Sequence, residues 1–169
     1  MRSELQNYFD RIEDLRGQIA ELVRDLPAEG LNWRPVDGVD DHATNSLAVM
    51  TTHVAGAEQF WIAEVVGGHP STRDRDAEFK AEVNDPADLI RQLEQVGRQT
   101  RAVFATLTKT DLAEPRPARD KQVSIRWALL HVVDHTALHL GQMQLTYQLW
   151  QGGRATNAPR WFQRLPDES

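Results

Sequence analysis

Residues 127–150 read WALLHVVDHTALHLGQMQLTYQLW, and Gly141 is the sole helix breaker among them. His131, His135 and His139 recur there at i, i+4 and i+8. Residues four apart are neighbours on a helix, so the spacing places three imidazoles along one side of a single long helix. On a helical wheel Leu138, Leu145 and Leu149 share the histidine side. Arg126, Gln144, Gln148 and Gln151 fall on the other. The wheel thus predicts histidines inside an apolar stripe, where a titratable ring is costly unless something binds it. A metal ion is the natural candidate, because imidazoles one turn apart can converge on one ion.

Three further helices follow from the same periodicity. Leu5, Tyr8, Phe9, Ile12, Leu15, Ile19, Leu22 and Val23 predict a helix from about 3 to 25, ended by Pro27 and Gly30. A second opens near Asn45 or Ser46, both good N-caps, and runs through Met50, His53, Val54, Phe60, Trp61 and Val65 until Gly67-Gly68. A third begins at Asp85-Pro86, a cap followed by proline at the first helical position, and reaches about Thr108. The fourth runs from near Ser124 to Gly152-Gly153. No segment alternates as a strand should, and there is no internal repeat, so the expected class is all-α. Helices of roughly 20–28 residues span about 30–40 Å, which suits a four-helix bundle in one domain covering 1–169. The connections 26–45, 67–85 and 109–123 are long enough to cross the bundle, and 71–79 is expected to carry a short helical turn.

Composition narrows the function classes. A net charge of -6 and a pI near 5.5 argue against a nucleic-acid binder. With no cysteine, any metal must take nitrogen and oxygen ligands. No apolar run approaches the ~18 residues of a membrane span, and the first residues lack a signal-peptide core, so a cytoplasmic protein is expected. His53 supplies a possible third nitrogen from the second helix. Three nitrogen ligands leave one or two coordination positions open, the composition of a catalytic site more than of a closed structural one. Within the fourth helix the pair is either 131/135 or 135/139.

The run His53-Val-Ala-Gly-Ala-Glu58-Gln-Phe-Trp61, together with His131-x3-His135-x3-His139-x-Gly141-Gln142, resembles the DinB superfamily of metal-binding four-helix bundles. Leu31-Asn-Trp33-Arg34-Pro35 resembles that family's crossover between helices one and two. The resemblance spans nearly the whole chain in order and spacing. It implies an up-down-down-up winding, frequent homodimers, and a divalent metal on His53, His135 and His139. Zinc is expected first, with nickel, iron or manganese as alternatives. It also implies kinship with thiol transferases that use a low-molecular-weight thiol such as bacillithiol, mycothiol or glutathione against an electrophilic substrate.

Several other residues belong to this expectation. Glu58, Gln142 and Arg34 are candidates for a direct catalytic part, and Trp33, Arg34, Trp61 and Gln142 for shaping the substrate pocket. Asp134 stands ready to accept a ligand's second ring N–H. Each has a plainer alternative: a buried ion pair for Glu58, a loop plug for Trp33 and Arg34, a solvated carboxylate for Asp134, and core packing beside Trp127 for His131. His42 and His69 read as surface residues, and the aromatics of the tail, Trp161 and Phe162, as packing or dimer contacts. Two rival functions stay open. One is metal-assisted hydrolysis with Glu58 or Asp134 as general base. The other is a non-catalytic, metal-stabilised binding or stress-response module.

Overall fold

Four serine and aspartate caps set the starts of the long helices in the computed structural model, which describes residues 3–36 and 44–154. Helix α1 (Glu4–Val23) starts where Ser3 accepts from the Gln6 backbone N–H. A short α2 (Ala28–Asn32) sits in the first crossover. Helix α3 (Leu47–Glu58) is capped by Ser46 and continues without a break as a π-helical segment, Gln59–Val66. After it come α4 (Arg75–Glu78), within the turn expected at 71–79, and α5 (Pro86–Phe104), capped by Asp85. A 3₁₀ turn (Lys109–Ala113) leads to strands β1 (Pro115–Ala118) and β2 (Lys121–Ser124), and Ser124 caps α6 (Ile125–Trp150). Each cap satisfies an N–H that a helix start leaves orphaned.

The molecule is mostly helical, and its four long helical segments form a closed ring of contacts. Helix α1 packs on α5 and α6, and α3 with its π extension packs on the same two. Ion pairs and rings fix which ends meet. Arg126 Nε donates to Glu4 Oε1 at 2.7 Å, joining the starts of α6 and α1. Phe9 meets Phe104 at 5.2 Å, so the start of α1 lies beside the end of α5. Trp61 meets Trp127 and His53 meets His139, so α3 and α6 run past each other in opposite senses. Two buried clusters fill the ring. One gathers Leu15, Ile19, Leu31, Leu47, Leu93 and Met143, the other Ile12, Ile62, Phe104, Leu112, Ile125 and Leu129. Each of these side chains contributes about 1.5–3 kcal/mol by leaving water.

The structure corrects three expectations. The first is the expected lack of any strand: within the mostly helical fold, residues 115–124 form an antiparallel hairpin with Ala118 paired to Lys121 around a two-residue turn. Pro115 and Pro117 hid it, since proline argues against a strand. In such a hairpin the pair beside the turn is hydrogen-bonded and bonding alternates outward, so both prolines occupy non-bonded positions where a missing N–H costs nothing. The Ile125 N–H bond to the Glu114 carbonyl, 3.0 Å, keeps that alternation.

The second correction concerns α6. Leu138, Leu145 and Leu149 share the histidine side of the wheel but are exposed, Leu138 at 64%. The core face is instead Ala128, Leu129, Val132, Thr136, Leu140 and Met143. Each i+4 step turns about 40° round the helix, so the histidines spiral along the border between core face and outer leucine row. The third is the change of pitch after Glu58, which no residue pattern signals. His42 and the tail with Trp161 and Phe162 lie outside the described residues. His69 is exposed, as read.

Candidate metal centre

Helices α3 and α6 cross so that one nitrogen from each of His53, His135 and His139 lies within 4.8 Å of the other two. His53 is buried, and the other two are half-buried. His135 Nε2 stands 3.2 Å from His53 Nε2. Two imidazole nitrogens bound to one zinc at about 2.0–2.1 Å and a tetrahedral angle would be about 3.3 Å apart, so this pair already stands at a ligating separation. The ring centroids are 5.1 Å (His53–His135), 5.1 Å (His53–His139) and 4.5 Å (His135–His139) apart.

Partners on the far ring nitrogens orient two of the three. His53 Nδ1 donates to Glu78 Oε2 at 2.9 Å, and His139 Nδ1 donates to Gln142 Oε1 at 2.8 Å. Each bond places the proton on Nδ1 and leaves Nε2 free as a ligand, the arrangement by which carboxylates and amides support metal-binding histidines. Glu78 is itself held by Arg73, whose Nε reaches Oε1 at 2.6 Å and whose Nη2 reaches Oε2 at 2.8 Å. Burial alone would raise the Glu78 carboxyl, but the bonds from Arg73 and His53 outweigh it and hold it below the usual range. Phe79 lies against the His53 ring at 4.9 Å.

All three α6 imidazoles favour the neutral form. Burial, with His139, His53, His131 and Arg73 nearby, pushes His135 down to about 3. Burial and His53 also lower His139, against the bond to Gln142. His131 is lowered by burial, with Asp134 opposing. A neutral ring keeps a lone pair to offer, so His135 and His139 can meet a cation without first displacing protons. Three imidazole nitrogens suit zinc, nickel, copper or iron.

His131 stands apart from the triad. It stacks on Trp127 at 4.9 Å and 6°, with the Trp61 edge at 4.8 Å. Those rings line a cavity of about 420 Å³ whose wall also includes His53 and His135, so the cavity opens onto the triad. Trp61 thus lines the space beside the histidines, and Gln142 touches His139. The structure does not bring Trp33 and Arg34 to the cavity. Arg34 donates to the Thr44 carbonyl at 3.0 Å, and neighbouring Gly30 packs under Trp150 at the far end of α6. Asp134 is exposed and does not line the cavity. Glu58 points the other way, where it pairs with Arg16 and accepts from Thr100 Oγ1 at 2.5 Å. Burial raises its carboxyl, opposed by Arg16 and Thr100.

Glu78 and Arg73 carry no motif in the sequence. The available signal is Gly56, three residues after His53 on an otherwise apolar face. A Cβ there would overlap the Glu78 carboxylate, so glycine is what lets Glu78 reach His53. The hairpin turn at 118–121, which overhangs the cavity, had no signal.

Comparison with known proteins agrees with this architecture. The profile of the DinB superfamily matches residues 11–143. An uncharacterised protein of Bacillus subtilis (strain 168), YkkA, is 24% identical over 119 residues, which is 63% of this chain and 67% of that protein. A conserved protein from Enterococcus faecalis has a similar fold, with a TM-score of 0.69 at 15% identity over 90% of this chain and 99% of its own. A DinB-like protein from Bacillus cereus ATCC 10987 superposes with a TM-score of 0.68 at 16% identity, covering 92% and 95%.

Proposed function

The chain belongs to the DinB superfamily, and from that premise we propose that it is a metal-dependent enzyme whose His53, His135 and His139 hold one divalent ion for S-transfer from a low-molecular-weight thiol to an electrophile. The observation that carries the proposal is the convergence of three imidazoles beside an open cavity. A divalent ion held there supplies a Lewis acid that favours loss of a thiol proton near neutral pH. Zinc is the first choice, with nickel, iron or manganese behind it. The chain's own residues do the positioning. Glu78 and Gln142 fix two ligand rings, Arg73 keeps Glu78 ionised, and Trp61 and Trp127 wall the space where the electrophile lies.

The plainer readings have less support. Glu58 and Asp134, the carboxylates a hydrolase would use as base, do not line the cavity, and the described residues give the triad no fourth protein ligand that would close a structural site. The same reading takes the winding as up-down-down-up, supported by the parallel starts of α1 and α6 and the opposed run of α3. It also takes the exposed row Leu138, Leu145 and Leu149 as the face of a homodimer. Glutamates at Leu138 and Leu145 should then give a monomer by light scattering; a persisting dimer rejects that face.

Cobalt-loaded protein titrated with glutathione, bacillithiol and mycothiol tests the activity. One thiol should bring up a thiolate charge-transfer band. A cobalt spectrum indifferent to every thiol would defeat S-transfer while leaving the metal site standing.

A further inference from the structure

The mouth of the cavity inverts the charge of the molecule. The chain carries a net -6, yet Arg73, Arg75, Arg119 and Lys121 line this one space against a single lining carboxylate, Asp120. Arg73 is spent on Glu78. Among the described residues, Arg75, Arg119 and Lys121 have no ion-pair partner; the guanidinium of Arg75 instead lies 4.8 Å from the Phe79 ring and that of Arg119 lies 5.6 Å from Phe60. Arg75, Arg119 and Lys121 are exposed at its rim, and cations gathered around a concave opening attract an anion more strongly than the same charges spread over a surface.

The turn that delivers two of them is held at a cost. Arg119 takes φ 57°, a left-handed conformation that two-residue hairpin turns ordinarily assign to glycine, asparagine or aspartate. An arginine kept there where glycine would be easier points to a use for its side chain. Trp61 and Trp127 also line the cavity, their rings crossing at 63°. Trp127, although 47% exposed, stacks on His131, and Trp61 stands edge-on to both. An exposed tryptophan facing a cavity is a contact surface awaiting an apolar or aromatic body.

We propose that this cavity seats an organic anion with an aromatic body: its carboxylate or phosphate meets Arg119, Lys121 and Arg75, its body lies in the angle between the crossed rings of Trp61 and Trp127, and its far end faces His53 and His135. The molecule so held is the substrate that meets the triad, and to that extent the assignment rests on the triad being the reacting centre; its being bound does not. Arg119 and Lys121 are specificity residues, placed on a hairpin outside the helical ring.

The test uses full-length protein, zinc-loaded and metal-stripped, with 2-naphthoate, 2-naphthyl phosphate and neutral 2-naphthamide as probes, read by calorimetry. Both acids should bind more tightly than the amide. Arg119→Gly together with Lys121→Gln should weaken the acids about fivefold and leave the amide unchanged, the loss expected from two partly exposed charge contacts. Glycine is at ease at φ 57°, so the turn survives the change, and circular dichroism checks it. Equal affinity for acid and amide, or a double variant that binds the acids as well as the parent, would overturn the anion seat. So would acid binding that needs zinc and ignores Arg119 and Lys121, because the carboxylate would then be sitting on the metal. Zinc uptake measured on the same samples separates the two readings: intact acid binding without zinc uptake defeats the metal centre and keeps the seat.

Discussion

Helix α3 carries two buried ionisable residues five apart, His53 and Glu58, and they face opposite fates. Glu58 turns toward α1 and α5, where Arg16 and Thr100 satisfy it and Gly97 makes room for the Arg16 guanidinium. His53 turns toward α6 and leaves Nε2 pointing at His135 beside an open cavity. Both lie where a polar group is expensive. The first cluster is closed on itself and holds helices together; the second keeps lone pairs free and reaches solvent. A polar group in a core says little alone. What matters is whether its partners complete it.

That contrast can be broken from either side. The largest effect is expected from Glu58→Ala, which leaves buried Arg16 with half-buried Glu13 as its remaining partner and should cost about 3 kcal/mol in denaturant unfolding while metal stoichiometry of the folded protein stays unchanged. Loss of metal on that change would merge the two clusters into one site. Next comes His139→Asn, which removes a proposed ligand and should weaken metal binding by more than about 100-fold, since even supporting partners of a ligand are worth roughly 10–100-fold. Unfolding of its metal-free form should scarcely change. Glu78→Gln keeps the shape but not the charge and should fall within that roughly 10–100-fold range, in a competitive chelator titration. Full affinity in that variant would reduce Glu78 to a packing partner.

A pH series sharpens the comparison further. His135 in the folded, metal-free protein sits at about 3 against an ordinary 6.5, so below pH 6.5 the unfolded chain binds the more protons. Stability should therefore be whole above pH 6.5 and be lost as pH falls toward 3. His135→Asn should flatten that slope, and an unchanged slope would mean that other groups cause it. Gly56→Ala, whose methyl displaces the Glu78 carboxylate, should lower metal affinity at least as much as Glu78→Gln in the same chelator titration.

How much of this the sequence disclosed depends on the range of each interaction. The helices were legible because apolar periodicity and the caps Ser3, Ser46, Asp85 and Ser124 are local signals. The i, i+4, i+8 histidines were legible for the same reason, but not which side of α6 was core: two apolar faces flank them, and the wheel chose the outer leucines. Choosing between 131/135 and 135/139 needed the family resemblance. In the structure, the roughly 40° turn per step carries His131 away to Trp127. Glu78 reaches His53 across 25 residues, a distance over which spacing says nothing. The hairpin stayed hidden because its prolines occupy the positions that tolerate them.

The central claim is that His53, His135 and His139 form one metal site and His131 is no part of it. The most direct measurement is anaerobic cobalt titration of the metal-stripped protein and of the four single His→Asn variants, read as ions bound per chain. One ion is expected in the parent and in His131→Asn, and none held tightly in the other three. A parent that binds no stoichiometric cobalt, or a His131→Asn variant that loses it, would refute a site built from His53, His135 and His139 alone.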